Sequence, residues 1–332
     1  MGANDTQQPK ELPMVLLHRL PSFNLPPNPS FRDHLRSHFH ILDPHESPEP
    51  YDSFLSRHAH SIRAILPVGP TQISSELLER LPALELIVAT SAGLEHIDLP
   101  ACRSRGIVVT NASSAFAEDV ADCAVGLLID VLRRISAADR FVRGRIWPVE
   151  KEYPLGFKLG GKRVGIVGMG SIGSEVAKRL SAFGCTIAYT SRNKKESVPF
   201  LFYTNVRDLA ANSGVLILCC PLTEETYHIV NKDVMAALGK EGVIINVGRG
   251  SLVDEKELVQ CLVQGEIGGA GLDVYENEPN VPKELFGLDN VVLSPHRAVM
   301  TPESFEALFQ LIVGNLKAFF SNKPLVSVVS NE

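Results

Sequence analysis

The sequence predicts an α/β protein built of two doubly wound parallel-sheet units. Three observations lead there. Short apolar runs recur along the whole chain and alternate with polar or helix-like stretches, the pattern of β-α-β units. The pattern changes character after Asn111, and a second, stronger series of strands begins at Arg163. The 332 residues suit about two domains.

Taken in order, Met14–His18, Arg63–Leu66, Glu85–Thr90 and Ile107–Thr110 read as buried strands, because each is a short apolar run bounded by polar or Pro-rich text. Asp119–Val142 places Ala, Val, Leu and Ile on one broad stripe and predicts a single long helix. A loop with the only tryptophan, Trp147, follows. The second series is Arg163–Val167, Thr186–Thr190, Val215–Cys219, Val243–Val247, Gly268–Asp273 and Val291–Ser294. Helices fit between these strands at 171–183, 231–238 and 254–264, and a last one covers about 303–320. There is no internal repeat and no low-complexity segment.

Composition narrows the function. With 45% hydrophobic and 21% charged residues the chain can bury a core, so disorder is excluded as its main state. No run of 18 apolar residues predicts a membrane span. A net charge of −6 without any basic block predicts no nucleic-acid partner. The six cysteines lie in apolar segments without a C-x-x-C pair. They read as reduced, mostly buried thiols of a cytoplasmic protein, and no metal site is expected. Met1-Gly2-Ala3-Asn4-Asp5-Thr6 fits the myristoylation pattern M-G-x-x-x-[ST]. No basic patch or nearby Cys supplies a second anchor, so no stable membrane attachment is expected.

Gly168-Met169-Gly170-Ser171-Ile172-Gly173 is G-x-G-x-x-G. It follows the strand Val164–Val167 and opens a helix whose apolar positions are Ile172, Val176, Leu180 and Phe183. Gly168 permits the tight turn, Gly170 lets the backbone approach a pyrophosphate, and Gly173 lets helix and strand pack closely. The phosphates would sit on the helix N-terminus, where N–H groups and the dipole favour anions. This is the fingerprint of a Rossmann dinucleotide domain. The next strand ends Thr190-Ser191-Arg192-Asn193, with no carboxylate before Glu196. An acid there would hold the ribose 2′-OH of NAD, whereas a hydroxyl and a guanidinium suit the 2′-phosphate of NADP. Ser191 and Arg192 are therefore expected to select NADPH over NADH.

Three further segments follow strands, where open α/β sheets bind ligands. They are Asn246-Val247-Gly248-Arg249-Gly250, Leu272-Asp273-Val274-Tyr275-Glu276-Asn277-Glu278-Pro279 and Ser294-Pro295-His296. Each of their polar residues has an ordinary reading alone: a surface Arg249, a solvated Glu278, a turn His296. Together they fit one chemistry. An Arg binds a carboxylate and polarises the adjacent carbonyl, a His donates a proton as hydride arrives at carbon, and an acid holds the imidazole in one tautomer.

These motifs resemble the D-isomer-specific 2-hydroxyacid dehydrogenase family. The matching text is V-G-I-V-G-M-G-S-I-G, C-P-L-T-E-E-T at 220–226, N-V-G-R-G-S-L-V-D-E at 246–255, G-L-D-V-Y-E-N-E-P at 271–279 and S-P-H at 294–296, with a weaker S-A-G-L-E-H-I-D at 91–98. Within the family the chain is most similar to plant-type glyoxylate/hydroxypyruvate reductases and hydroxyphenylpyruvate reductases, which prefer NADPH. The resemblance implies a Rossmann cofactor domain, 112–296, inserted into a flavodoxin-like substrate domain formed by 1–111 and 297–332. It implies that Arg249, Glu278 and His296 are catalytic, and that Ala92, Gly93 and Arg249 bind the substrate carboxylate. The implied cofactor set is Gly168, Met169, Gly170, Ser171, Ile172, Gly173, Ser191, Arg192, Asn193, Pro221, Thr226, Val247, Gly248, Arg249 and Asp273, with Asp273 near the nicotinamide. Helix 119–142 and its following loop would form the arm of a homodimer, with Trp147 either reaching the partner or filling a core.

One departure stands out. Relatives often read I-G-S or V-G-S after the histidine, where this chain has Arg297-Ala298-Val299-Met300, which adds bulk and a charge. The leading function is NADPH-dependent reduction of small 2-oxo acids such as glyoxylate and hydroxypyruvate. An aromatic substrate such as 4-hydroxyphenylpyruvate is the variant, depending on Pro67-Val68-Gly69 and on residues 297–300. A phosphoglycerate dehydrogenase is disfavoured by the Thr190-Ser191-Arg192 strand end. A dinucleotide-sensing scaffold without turnover is the reading from another class.

Overall fold

Runs of Val, Ile and Leu set both sheets, because residues buried on two faces read as continuous apolar strands. The computed structural model describes residues 12–21, 29–69, 71–112 and 114–329. The myristoylation pattern lies outside them. The chain forms two compact units, one made of residues up to Ala115 together with those from Pro302 on, the other Phe116–Thr301.

In the first unit, β1 (Met14–His18), β2 (His40–Leu42), β3 (Ala64–Pro67), β4 (Leu86–Val88) and β5 (Val108–Thr110) are parallel in the order β2-β1-β3-β4-β5. That is the flavodoxin-like order. Leu16 lies between Leu42 and Ile65 in register, and Leu16, Ile65 and Ile87 are fully buried beside Leu55 and Leu81. Each such side chain contributes about 1.5–3 kcal/mol of transfer free energy. The helices are capped in sequence: Ser74 accepts from Leu77 N–H ahead of Ser75–Glu79, and Asp98 from Ala101 N–H ahead of Leu99–Ser104. The helix Pro302–Phe320 belongs to this unit, and Val328 bridges Thr110 on the edge strand.

In the second unit, β6 (Arg163–Val167), β7 (Thr186–Thr190), β8 (Leu201–Phe202), β9 (Val215–Leu218), β10 (Val243–Asn246), β11 (Gly269–Leu272) and β12 (Val291–Leu293) form one parallel sheet in the order β12-β11-β10-β9-β6-β7-β8. Counted from β6 this is the Rossmann order with one strand added at the β12 edge. The helix Ser171–Ala182 buries Val176 and Leu180, while Phe183 beyond its end is about half exposed.

The structure departs from expectation in three places. β2 and β8 were not expected: they are two- or three-residue edge strands, too short and too exposed to register as apolar runs. The long helix expected over 119–142 is two helices, Ala117–Arg133 and Ile135–Arg143, broken at Arg134 with φ 56°. Asp130 accounts for the break. Its carboxylate accepts from the backbone N–H of Ser136 at 2.8 Å and from the Ser136 hydroxyl, so a side chain takes a donor that helix continuation would use. The six cysteines are free, but only Cys102 and Cys261 are fully buried. No described helix is long and apolar enough to cross a membrane.

Candidate active site

Val167, Thr190, Leu218, Asn246, Leu272 and Leu293 stand in register across neighbouring strands of the second unit. Because all seven strands are parallel, the loops that follow these residues leave one sheet edge. The G-x-G-x-x-G turn, Ser191–Asn193, Pro221–Thr226, Val247–Arg249, Asp273–Glu278 and Ser294–His296 are those loops. Ala92 and Gly93 sit in the other unit, in the turn after β4, where Ser91 donates to the Gly93 carbonyl and Asn111 to that of Ala92.

The first turn has the shape a dinucleotide needs. Gly168 has φ +100°, and a Cβ there would lie 2.6 Å from the Cys220 nitrogen. A Cβ on Gly173 would lie 2.1 Å from the Gly168 oxygen. Only glycine serves at either position. Gly170 faces open space, and the helix Ser171–Ala182 that it opens has no side-chain cap. Unsatisfied N–H groups therefore meet an open surface, the arrangement that receives a pyrophosphate. Met169 is buried and Ile172 half-buried beneath this turn. Burial pushes the Cys220 thiol behind the turn up to about 11, so it stays protonated.

At the end of β7 the Ser191 hydroxyl donates to the Asn193 carbonyl at 2.6 Å, and Arg192 and Asn193 are exposed. The buried Tyr189 pins this loop: its hydroxyl accepts from Lys195 N–H at 2.7 Å. Thr226 folds the loop after β9 by donating to the Pro221 carbonyl at 2.8 Å and accepting from Thr223 N–H at 2.7 Å.

Three segments carry Arg249, Glu278 and His296. After β10 the buried Asn246 shapes the turn, accepting from Gly248 N–H at 3.1 Å and donating to the Arg249 carbonyl at 2.9 Å. Val247 is buried behind this turn. Arg249 Nη1 donates to the Gly248 carbonyl at 2.7 Å. Gly250 is forced by close approach, since a Cβ would fall 1.9 Å from the Tyr275 carbonyl carbon.

After β11 and β12, His296 Nδ1 lies 2.8 Å from Glu278 Oε2. The other oxygen of Glu278 accepts from Tyr275 N–H at 3.1 Å. A carboxylate only accepts, so Nδ1 carries a proton and Nε2 is the nitrogen left for chemistry. His296 is held in a left-handed conformation, φ 53°, by its N–H on the Asp273 carbonyl. The Asp273 carboxylate, 1% exposed, accepts from the Ser294 hydroxyl and the N–H groups of Arg297 and Ala298. It is thus spent on fixing the loop that carries His296. An open pocket of about 260 Å³ borders the pair, lined by Tyr275, Glu278, Phe286 and His296 among others.

With this geometry in place, the comparisons decide the family. Residues 125–298 match the model of the D-isomer specific 2-hydroxyacid dehydrogenase, NAD binding domain. The chain belongs to that family. It is 58% identical to a glyoxylate/hydroxypyruvate reductase of Arabidopsis thaliana, over 96% of this chain and 98% of that one. It is 49% identical to a hydroxyphenylpyruvate reductase of Plectranthus scutellarioides, over 83% and 88%. Among solved structures it resembles the NADPH-dependent glyoxylate/hydroxypyruvate reductase of Sinorhizobium meliloti in complex with NADP and malonate. There the TM-score is 0.85 and the identity 37%, over 96% of this chain and 97% of that one.

As a 2-hydroxyacid dehydrogenase the chain holds site residues that the sequence reading did not single out. Asn246 and Tyr189 bond loop backbone. The Tyr275 hydroxyl, pushed up to about 12 by burial, donates toward the carbonyls of Leu272 and Ser294. All three stand inside quoted strand or motif text, but nothing in the spacing distinguishes a loop anchor from an apolar filler.

Proposed function

We propose that this 2-hydroxyacid dehydrogenase reduces small 2-oxo acids, with glyoxylate and hydroxypyruvate as the substrate class, to 2-hydroxy acids at the expense of NADPH. The observation that carries the reading is the Glu278–His296 pair, which engages Nδ1 and leaves Nε2 as the nitrogen available for proton transfer. A nicotinamide dinucleotide held by the Gly168–Gly173 turn would supply the hydride for the carbonyl carbon. Arg249 grips the substrate carboxylate and polarises the carbonyl. His296 Nε2 gives its proton to the carbonyl oxygen as the C–H bond forms. Glu278 holds Nδ1–H throughout. Fixing these groups on three backbone-bonded loops lowers the reorganisation needed at reaction.

NADPH preference is supported by Ser191, Arg192 and Asn193 at a strand end without a carboxylate, and by the NADP complex of the Sinorhizobium meliloti enzyme. A homodimer is supported by exposed apolar side chains concentrated at Ile135, Val142, Ile146, Trp147, Val149 and Leu155. Trp147 is 57% exposed, which leaves the partner-facing role and removes the core one. A cytoplasmic location is supported by six free thiols. The units would divide the work, the second holding the dinucleotide and the first the substrate.

Reduction of 4-hydroxyphenylpyruvate is the second reading, favoured by the Plectranthus scutellarioides relative. Measuring kcat/KM for glyoxylate, hydroxypyruvate and 4-hydroxyphenylpyruvate with NADPH and NADH tests both. The small acids with NADPH should lead. An aromatic lead would favour the second reading, and dinucleotide binding without turnover would leave a sensing scaffold.

A further inference from the structure

His228 is placed where the cofactor-side loop meets the loop that carries Glu278. It follows the 220–226 motif, and its backbone is left-handed, φ 48°, with N–H on the Ser251 carbonyl. The ring stacks on Tyr227 at 4.0 Å. Its Nε2 lies 2.5 Å from Glu276 Oε1, and its Nδ1 lies 3.7 Å from Asp254 Oδ2. One imidazole therefore meets a carboxylate at each nitrogen.

Glu276 is the centre of this arrangement. The same Oε1 accepts from Glu255 N–H at 3.3 Å, and Glu276 N–H donates to Glu255 Oε2 at 3.1 Å. Burial raises the Glu255 carboxyl. Asp254 in turn caps the helix Glu255–Gln264 by accepting from Glu257 N–H. The Tyr275–Glu276 peptide is also the surface against which Gly250 closes, next to Arg249. Two residues further on, Glu278 holds His296.

We propose that His228 is a positioning residue for the reaction: by gripping Glu276 it fixes the Tyr275–Glu278 segment, and with it the proton donor and the backing of Arg249, against the cofactor-side loop. It acts through Glu276. The inference rests on the proposed function for its kinetic consequences, and on geometry alone for its effect on the loop.

His228→Gly is the test variant, because glycine accepts the left-handed backbone without strain. The variant should lose kcat about 10- to 100-fold, since small misplacements of reacting groups cost that much. NADPH affinity and Tm should stay near wild type. KM for the 2-oxo acid should change less than kcat, because the group displaced acts in the chemical step. Glu276→Ala should behave alike, and the double variant should be no worse than either single one, since the two residues act as one unit. Glu276→Gln keeps an oxygen acceptor and should retain most activity.

Unchanged kcat in folded His228→Gly, additive losses in the double variant, or a parallel fall of Tm, NADPH affinity and kcat would each overturn the proposal. Hydrogen exchange separates it from the proposed function. If the wild type reduced no 2-oxo acid, faster exchange at the amides of Tyr275 and Glu276 in His228→Gly would still support the grip on the loop. Unchanged exchange there would overturn it.

Discussion

Glu278 joins two points at once: one carboxylate oxygen lies 2.8 Å from His296 Nδ1, and the other accepts the backbone N–H of Tyr275 at 3.1 Å. The carboxylate cannot follow the imidazole if the ring turns. Orientation and tautomer of His296 are thus set by backbone as much as by charge.

Replacing His296, the proposed proton donor, should cost the chemical step. His296→Ala is expected to lower kcat about 10²- to 10⁴-fold, the range for a positioned acid, with NADPH affinity within about twofold of wild type. Steady-state kinetics beside fluorescence titration of NADPH checks both. Equal loss of turnover and binding would mean a damaged fold.

Glu278→Gln keeps the size of the side chain and loses the charge that balances an imidazolium. The expected result is a lower kcat with NADPH affinity retained, read from steady-state kinetics beside a binding titration. An unchanged kcat would remove Glu278 from the mechanism.

In the proposed reaction Arg249 serves both bound substrate and transition state, so Arg249→Ala should raise KM and lower kcat together. Arg249→Lys should restore only part, because a point charge does not replace a bidentate fork. Unaltered kinetics in Arg249→Ala would contradict its role.

Asp273 supports the site from below. Asp273→Ala would leave the Ser294 hydroxyl and the N–H groups of Arg297 and Ala298 without their acceptor. A loss of roughly 2–4 kcal/mol of stability follows from stranding buried donors of a charged acceptor. Denaturant unfolding measures it, and a variant as stable as wild type would show that the loop is fixed by other means.

The sequence announced the frame of this site better than its fittings. The strands were legible because Val164–Val167, Val215–Leu218 and Val243–Ile245 are buried on both faces and give continuous apolar runs. The edge pieces His40–Leu42 and Leu201–Phe202 gave none. The break at Arg134 was hidden because the apolar stripe runs on through Ile135 and Val142, which turn out to be exposed. Arg249, Glu278 and His296 stood out as polar residues after strands. Asn246 and Tyr189 did not, since each bonds the backbone of its own loop and spacing does not mark such an anchor, and His228 did not, since it meets Glu276, 48 residues on, only in the folded chain.

The first unit carries its own pH dependence. Burial holds the His18 imidazole below its ordinary value, with a Gln72 carbonyl at Nε2 opposing the shift. Tyr51, its own hydroxyl pushed up to about 12 by burial, lies 2.9 Å from Nδ1. The unfolded chain then binds the proton more readily than the folded one. Stability is full above the unfolded value near 6.5 and is lost as pH falls through the lowered folded value. The unfolding midpoint of the wild type should drop between pH 7 and pH 5.5, and His18→Gln should flatten that drop. Parallel curves would assign the acid sensitivity elsewhere.

Arg192→Ala should shrink the preference for NADPH over NADH about tenfold, the worth of one charge-assisted contact. The ratio of kcat/KM for the two dinucleotides reads this directly. A preference that survives the substitution would place selectivity outside Ser191–Asn193.

The proposed reaction transfers a hydride to a 2-oxo acid while His296 supplies the proton. Deuterium can be followed from NADPH labelled at C4 into the product of glyoxylate or hydroxypyruvate. It is expected at C2 of the hydroxy acid from wild type, with almost none from His296→Ala. Product without the label, or no product from a protein that binds NADPH, would contradict it.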